Sequence, residues 1–221
     1  MGGCHLNHFW NTLQEDWPVV VEKTLEHIEL SLLSLALACL ISIPFGIYLA
    51  RHKRLANSVI TVVSAVQTIP VLALFGFMVP VFGIGFKPAL IVLTFYGILP
   101  VLQNTYVGIT SVSPALTEAG RGMGMSNWQL LWMVQVPIAR SYILAGVRLM
   151  AIQMISMATI GTFIAAGGLG DIITTGINDM NTARILEGAI PVSLLVILIN
   201  IVLLQLNRFL TPKGLRKNKS N

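Results

Sequence analysis

The chain has 221 residues, 55% of them hydrophobic and only 10% charged, with a formal net charge of +5. A soluble domain carries roughly 25% charged residues, so a mean hydropathy of +0.78 excludes an ordinary water-soluble domain and indicates an integral membrane protein. A cationic balance can also mark a nucleic-acid binder, but here the cations lie between apolar runs, where they orient a chain in a bilayer.

Residues 1–27 read as an extracytoplasmic tail. Glu15, Asp16, Glu22 and Glu26 stand where a secretory signal would carry basic residues, so no cleavable signal peptide is read. Leu6 occupies the position where a myristoylation pattern needs Ser or Thr. Leu6, Phe9, Trp10 and Leu13 recur at helical spacing before Trp17-Pro18, so the tail is either an interfacial helix or a flexible segment. His5 and His8 read as solvated imidazoles. Cys4 and Cys39 have no metal or disulfide spacing.

Five apolar stretches then approach the roughly 20 residues that cross a bilayer. They are residues 28–49, 59–82, 88–107, 143–163 and 189–206, although 59–107 divides in more than one way. Pro44, Pro70, Pro100 and Gly161 fall inside them, which membrane helices tolerate when neighbours satisfy the freed backbone groups. With the N-terminus outside, the inner segments hold Arg51, Lys53, Arg54, Arg121, Arg140, Arg208, Lys213, Arg216, Lys217 and Lys219. The outer segments hold only Lys23, Lys87 and Arg184, so the positive-inside rule predicts N-terminus out and C-terminus in. Arg148 lies within a span, where it can snorkel to the inner interface or close the inner end of a cavity. Of the carboxylates, Glu118 alone falls inside. Asp171, Asp179 and Glu187 are expected to make the outer face acidic.

The inner segment 108–142 interrupts the apolar pattern with TEAGRGMGMSNWQLLWMVQVP, Thr117 to Pro137. Ser113-Pro114 predicts a capped helix start, and Gly122 and Gly124 predict its end. Ser126 with Gln129 three residues on predicts a capping box opening a second helix, which Pro137 is expected to end. The expected result is two short capped helices around a glycine corner. A plain connector would not need this. It is either an amphipathic surface hairpin or a docking element for a cytoplasmic protein.

This segment resembles the EAA loop of permease subunits of ATP-binding-cassette importers, through Glu118-Ala119-Gly120, Gly124 and Val134-x-Val136-Pro137 at the family spacing. The departures are Gly120 for Ala, and Val for Ile and Leu. Gln67-Thr68-Ile69-Pro70, Phe95 to Pro100, Asn104 to Ile109 and Ala166 to Asp171 are similar to permeases for glycine betaine, carnitine and choline. The resemblance implies an all-α, type I importer transmembrane domain (28–210) of the kind found in the methionine importer permease, with a coupling loop at 108–142 and a basic tail at 211–221. It also implies a second permease subunit, identical or paralogous, cytoplasmic subunits that hold ATP and Mg, and an extracytoplasmic binding protein. The chain would sit in a prokaryotic cell membrane and carry an osmoprotectant. A methionine-type cargo is the alternative, and a stand-alone carrier or membrane enzyme is a third reading.

The coupling residues implied are Ala115, Glu118, Ala119, Gly120, Arg121, Gly124 and Pro137. Gly83 to Pro88 lacks the Ser/Thr and helix of a P-loop, and no zincin or nucleophile-elbow motif occurs, so no catalytic residue, metal site or cofactor is read in this chain. Polar residues inside spans are candidates for the substrate path or for helix–helix hydrogen bonds: Gln67, Thr68, Tyr96, Asn104, Gln153, Ser156 and Thr159. Tyr96 and Phe95 could offer a ring face to a quaternary ammonium ion. Gly167, Gly168 and Gly170 fit an outer gate or close packing.

Overall fold

The computed structural model describes residues 16–210, which are helical almost throughout. The readings of the His5, His8 and Cys4 side chains, of a helix through Leu6 to Leu13, and of the tail from 211 lie outside the described residues.

Helix α1 (Trp17–Arg51) starts well before the expected first span, with Pro18 in its first turn, where a missing N–H costs nothing. Pro44 lies inside it without ending it. After His52, helices α2 (Lys53–Gln67) and α3 (Val71–Phe82) meet at an 89° bend. The expected span 59–82 is therefore two helices at a right angle and not one straight helix. Thr68 and Ile69 turn their N–H groups back to the carbonyls of Ala65 and Val66, and Pro70, which disfavours a helical residue before it, prevents continuation. Helix α4 (Phe86–Thr110) runs unbroken through Pro100.

Helix α5 (Pro114–Gly122) and the short α6 (Asn127–Leu130) flank the glycine corner. A π turn (Leu131–Gln135) then leads directly into α7 (Val136–Ala158). The expected end at Pro137 is thus corrected. The Val136 N–H reaches back five residues to the Leu131 carbonyl, and this wider turn absorbs Pro137 into the first turn of α7. Helix α7 passes into a 3-10 turn (Thr159–Ile164), after which come α8 (Leu169–Asn178) and α9 (Thr182–Leu210).

Among the described residues, four helical stretches are long and apolar enough to cross a membrane, and the bent pair makes a fifth if counted as one span. Helices α1, α4 and α7 form the centre. Leu30 and Ala38 of α1, Leu93, Tyr96 and Val101 of α4, and Met150, Met154 and Ala158 of α7 share one buried cluster with Phe75 of α3. Small residues allow this closeness. A Cβ on Gly146 would stand 2.6 Å from the Asn104 Cβ, and one on Gly97 would stand 2.7 Å from Met150 Sδ. His27 of α1 is fully buried too, and its Nε2–H donates to the Ile155 carbonyl of α7 at 2.9 Å.

Glu187, expected on an acidic surface, is only 1% exposed. The α8–α9 hairpin packs backbone to backbone at Gly176 and Gly188, and this draws the first turns of α9 inward. Asp179 stays exposed.

Candidate coupling corner and membrane path

The corner is held by its own backbone. Met125 N–H reaches the Gly120 carbonyl at 3.0 Å and Gly124 N–H reaches that of Arg121 at 2.9 Å, the paired closure of a Schellman motif. The motif needs a left-handed residue, and Gly124 supplies it at φ +80°. Met125 folds back over the helix end, where its Sδ would lie 3.2 Å from a Cβ at Gly120. Gly122, read as a possible end, is the last residue of α5.

The second helix starts as expected. Ser126 Oγ accepts from Gln129 N–H at 3.2 Å, and Ser126 N–H donates to Gln129 Oε1 at 2.9 Å. Ser113 does not behave as expected: its side chain makes no capping bond, and its carbonyl instead accepts from Leu116 and Thr117. Pro114 has no N–H to cap, which lowers the need for a side-chain acceptor.

Ala115, Glu118, Ala119 and Arg121 are exposed on α5, whereas Gly120 is buried against Leu130. Beside them lie Leu116, Met123 (73% exposed), and Trp128 (65% exposed) stacked edge-to-face on Trp132 at 5.6 Å. Four large apolar side chains are thus left open on the same stretch as a carboxylate and a guanidinium.

Arg51, at the end of α1, donates through Nη2 to the Asn127 carbonyl at 3.2 Å. With Arg121, Leu130 and Gln135 it lines a cleft of about 330 Å³. Sequence reasoning used Arg51 only for orientation. Its place one turn from the corner could not be read without the fold.

At the opposite end of α1, Lys23 bridges two carboxylates, Glu26 at 2.9 Å and Asp171 at 3.1 Å. Glu26 Oε2 also accepts Gly168 N–H at 2.8 Å, and Asp171 Oδ1 accepts the Thr162 hydroxyl at 2.6 Å. These bonds tie α1 to the Gly167–Gly170 segment. Gly167 and Gly168 have φ +84° and +88°, and a Cβ on Gly170 would overlap the Thr159 carbonyl. All three glycines sit in a closely packed joint.

Six of the seven polar candidates in the spans, all but Gln153, donate to backbone carbonyls. Gln67 Nε2 donates to the Tyr96 carbonyl, and the Tyr96 hydroxyl donates to the Ile69 carbonyl, with the Tyr96 ring buried. Asn104 turns back to the Pro100 carbonyl at 2.8 Å. Thr68 and Ser156 are exposed, while Gln153 and Thr159 are half-buried. Arg148 Nε donates to Asn200 Oδ1 at 2.7 Å, joining α7 to α9. Among the described residues, no group of three or more His, Cys, Asp or Glu side chains could hold a metal ion.

Apolar helices of spanning length, three of them packed around one buried centre, and a helix pair bent by 89° mark the chain as a membrane protein. The chain belongs to the family of binding-protein-dependent transport system inner membrane components, whose model matches residues 42–215. It is 41% identical to the glycine betaine/carnitine/choline transport system permease protein OpuCB of Bacillus subtilis, over 97% of this chain and 99% of that one. It is 44% identical to the carnitine transport permease protein OpuCB of Listeria monocytogenes, over 92% and 94%. The osmoprotectant import permease protein OsmW of Salmonella typhimurium is 39% identical over 87% and 92%. A chain of the MetNI methionine ABC transporter, solved in inward-facing conformations, superposes with a TM-score of 0.78 at 22% identity, over 87% of this chain and 96% of that one. That likeness concerns the fold.

Proposed function

We propose that this chain is the permease subunit of an ATP-driven importer for a quaternary-ammonium osmoprotectant of the glycine betaine, carnitine and choline type, in a prokaryotic cell membrane. Identity of about 40% to permeases named for these solutes, over nearly the whole chain, carries the reading. The methionine alternative has only fold similarity behind it.

The end bearing Arg51, Lys53, Arg54 and Arg121 faces the cytoplasm, by the positive-inside rule. There α5 enters a cleft of an ATPase subunit. Ala115 and Ala119 permit close approach, Glu118 pairs with a cation of that subunit, and Trp128, Met123 and Leu116 bury apolar surface. Nucleotide hydrolysis belongs to the partner. This chain transmits the movement: α5 is packed on α6 through Gly120 and Leu130, and α6, the π turn and α7 are continuous, so a shift of α5 is delivered to the core helix. Arg51 carries the same shift to α1 through Asn127.

At the other face, an extracytoplasmic binding protein delivers solute near the Lys23–Asp171–Gly168 joint. A second permease subunit, identical or paralogous, completes the path. Reconstitution with the cognate ATPase and binding protein tests this. Uptake of glycine betaine, carnitine or choline that requires ATP supports it, and uptake of methionine instead, or uptake by this chain alone, refutes it.

A further inference from the structure

The break between α2 and α3 lies deep in the membrane. A rise of about 1.5 Å per residue puts Gln67 about 21 Å along α2 from Lys53, and Tyr96 about 15 Å along α4 from Phe86. The hydrogen bond between Gln67 and Tyr96 brings these two heights together. They meet far from either surface of a hydrocarbon core about 30 Å thick.

At this depth the backbone is irregular and uncovered. Thr68, Ile69 and Pro70 are all exposed. The two amides that precede Pro70 turn back to Ala65 and Val66, and among the described residues no backbone N–H reaches the carbonyls of Gln67 or Thr68. The Thr68 hydroxyl is bonded to the Ala65 carbonyl at 2.7 Å and gives them no donor. Lipid cannot solvate such groups, and non-helical backbone at membrane depth persists only when it is buried in protein or lines water. The described residues do not bury it.

We propose that the Thr68–Ile69–Pro70 corner forms part of the wall of the water-filled path, and that the Gln67 and Thr68 carbonyls meet the quaternary ammonium group of the passing solute. The solute contact rests on the osmoprotectant reading above. A trimethylammonium group has no N–H to donate, so undirected carbonyl dipoles suit it, as they suit ions stripped of water in a channel. Such contacts are weak enough for release. Gln67 and Tyr96 are then positioning residues: their bonds, one from the Tyr96 hydroxyl to Ile69 and one from Gln67 to Tyr96, hold the corner open from behind.

The test uses the assembled transporter with Cys4 and Cys39 replaced by Ser and Ala. Thr68→Cys and, as a second probe on the same corner, Ile69→Cys are exposed to a charged, membrane-impermeant methanethiosulfonate. Leu198→Cys, on the open apolar face of α9, is the lipid-facing control. The expected result is labelling of both corner cysteines, slowed by saturating glycine betaine, with Leu198→Cys unlabelled. Corner cysteines as silent as Leu198→Cys, in a transporter that still takes up solute, overturn the proposal and leave the transport reading standing. Labelling that solute does not slow removes the carbonyl contact. Absent uptake with a labelled corner counts against the osmoprotectant reading and retains the water-filled wall.

Discussion

Leu130 Cδ1 lies 2.6 Å from where a Cβ on Gly120 would stand. This contact explains why the chain has Glu118-Ala119-Gly120 rather than a second alanine. The α5 helix rests on α6 with no room for a methyl group, so the two move as one piece with the Gly124 corner between them.

Gly120→Ala therefore forces the Leu130 side chain aside. Because Cδ1 is a flexible end, the expected loss is on the order of 1 kcal/mol, and Gly120→Val, which adds branched bulk, costs more. Leu130→Ala in the Gly120→Ala background should restore part of the ATPase coupling while lowering stability by itself. Coupling ratio and melting temperature in detergent, measured together, check this. Equal coupling in all of these variants would contradict the contact's role.

The Lys23 joint separates charge from backbone shape. Lys23, Glu26 and Asp171 are partly exposed, so Glu26→Gln, which keeps an acceptor for Gly168 N–H, should cost under about 1 kcal/mol. Gly168→Ala places a side chain at φ +88° and within 3.0 Å of His27 Nδ1, and should cost on the order of 2 kcal/mol. Thermal unfolding of the two variants gives the order, and a more harmful Glu26→Gln would reverse it.

Arg148 and Asn200 give a third case. Asn200→Leu removes the acceptor of a guanidinium inside the spans, with an expected loss of about 2 kcal/mol. Arg148→Met combined with Asn200→Leu should recover most of it, because two apolar partners leave nothing unsatisfied. A double-mutant cycle on folded yield and melting measures the coupling. Additive losses would show that the bond does not hold α7 to α9.

Local signals made much of this legible. Apolar runs of span length marked the helices, and Ser126 with Gln129 marked a capping box that forms as read. Gly124 marked a left-handed corner because few other residues adopt that conformation. Features that depend on distant neighbours were not legible. Pro70 breaks its helix whereas Pro44 and Pro100 do not, and Tyr96, from another helix, holds the Pro70 break. Pro137 looked like a stop, but a π turn accommodates it. Glu187 looked like a surface acid until the α8–α9 hairpin closed over it. Gln67 and Tyr96 were chosen for polarity alone, and the fold shows each bonded to backbone rather than open.

The central claim is that an ATPase subunit engages this chain at α5 through Glu118. Glu118→Lys tests it most directly, with the complex purified from membranes through a tag on the permease. Glu118 is exposed, so membrane insertion and melting should stay near those of the parent chain. The account predicts that the ATPase subunit no longer co-purifies and that ATP-driven uptake is lost. Normal association and normal uptake would contradict it.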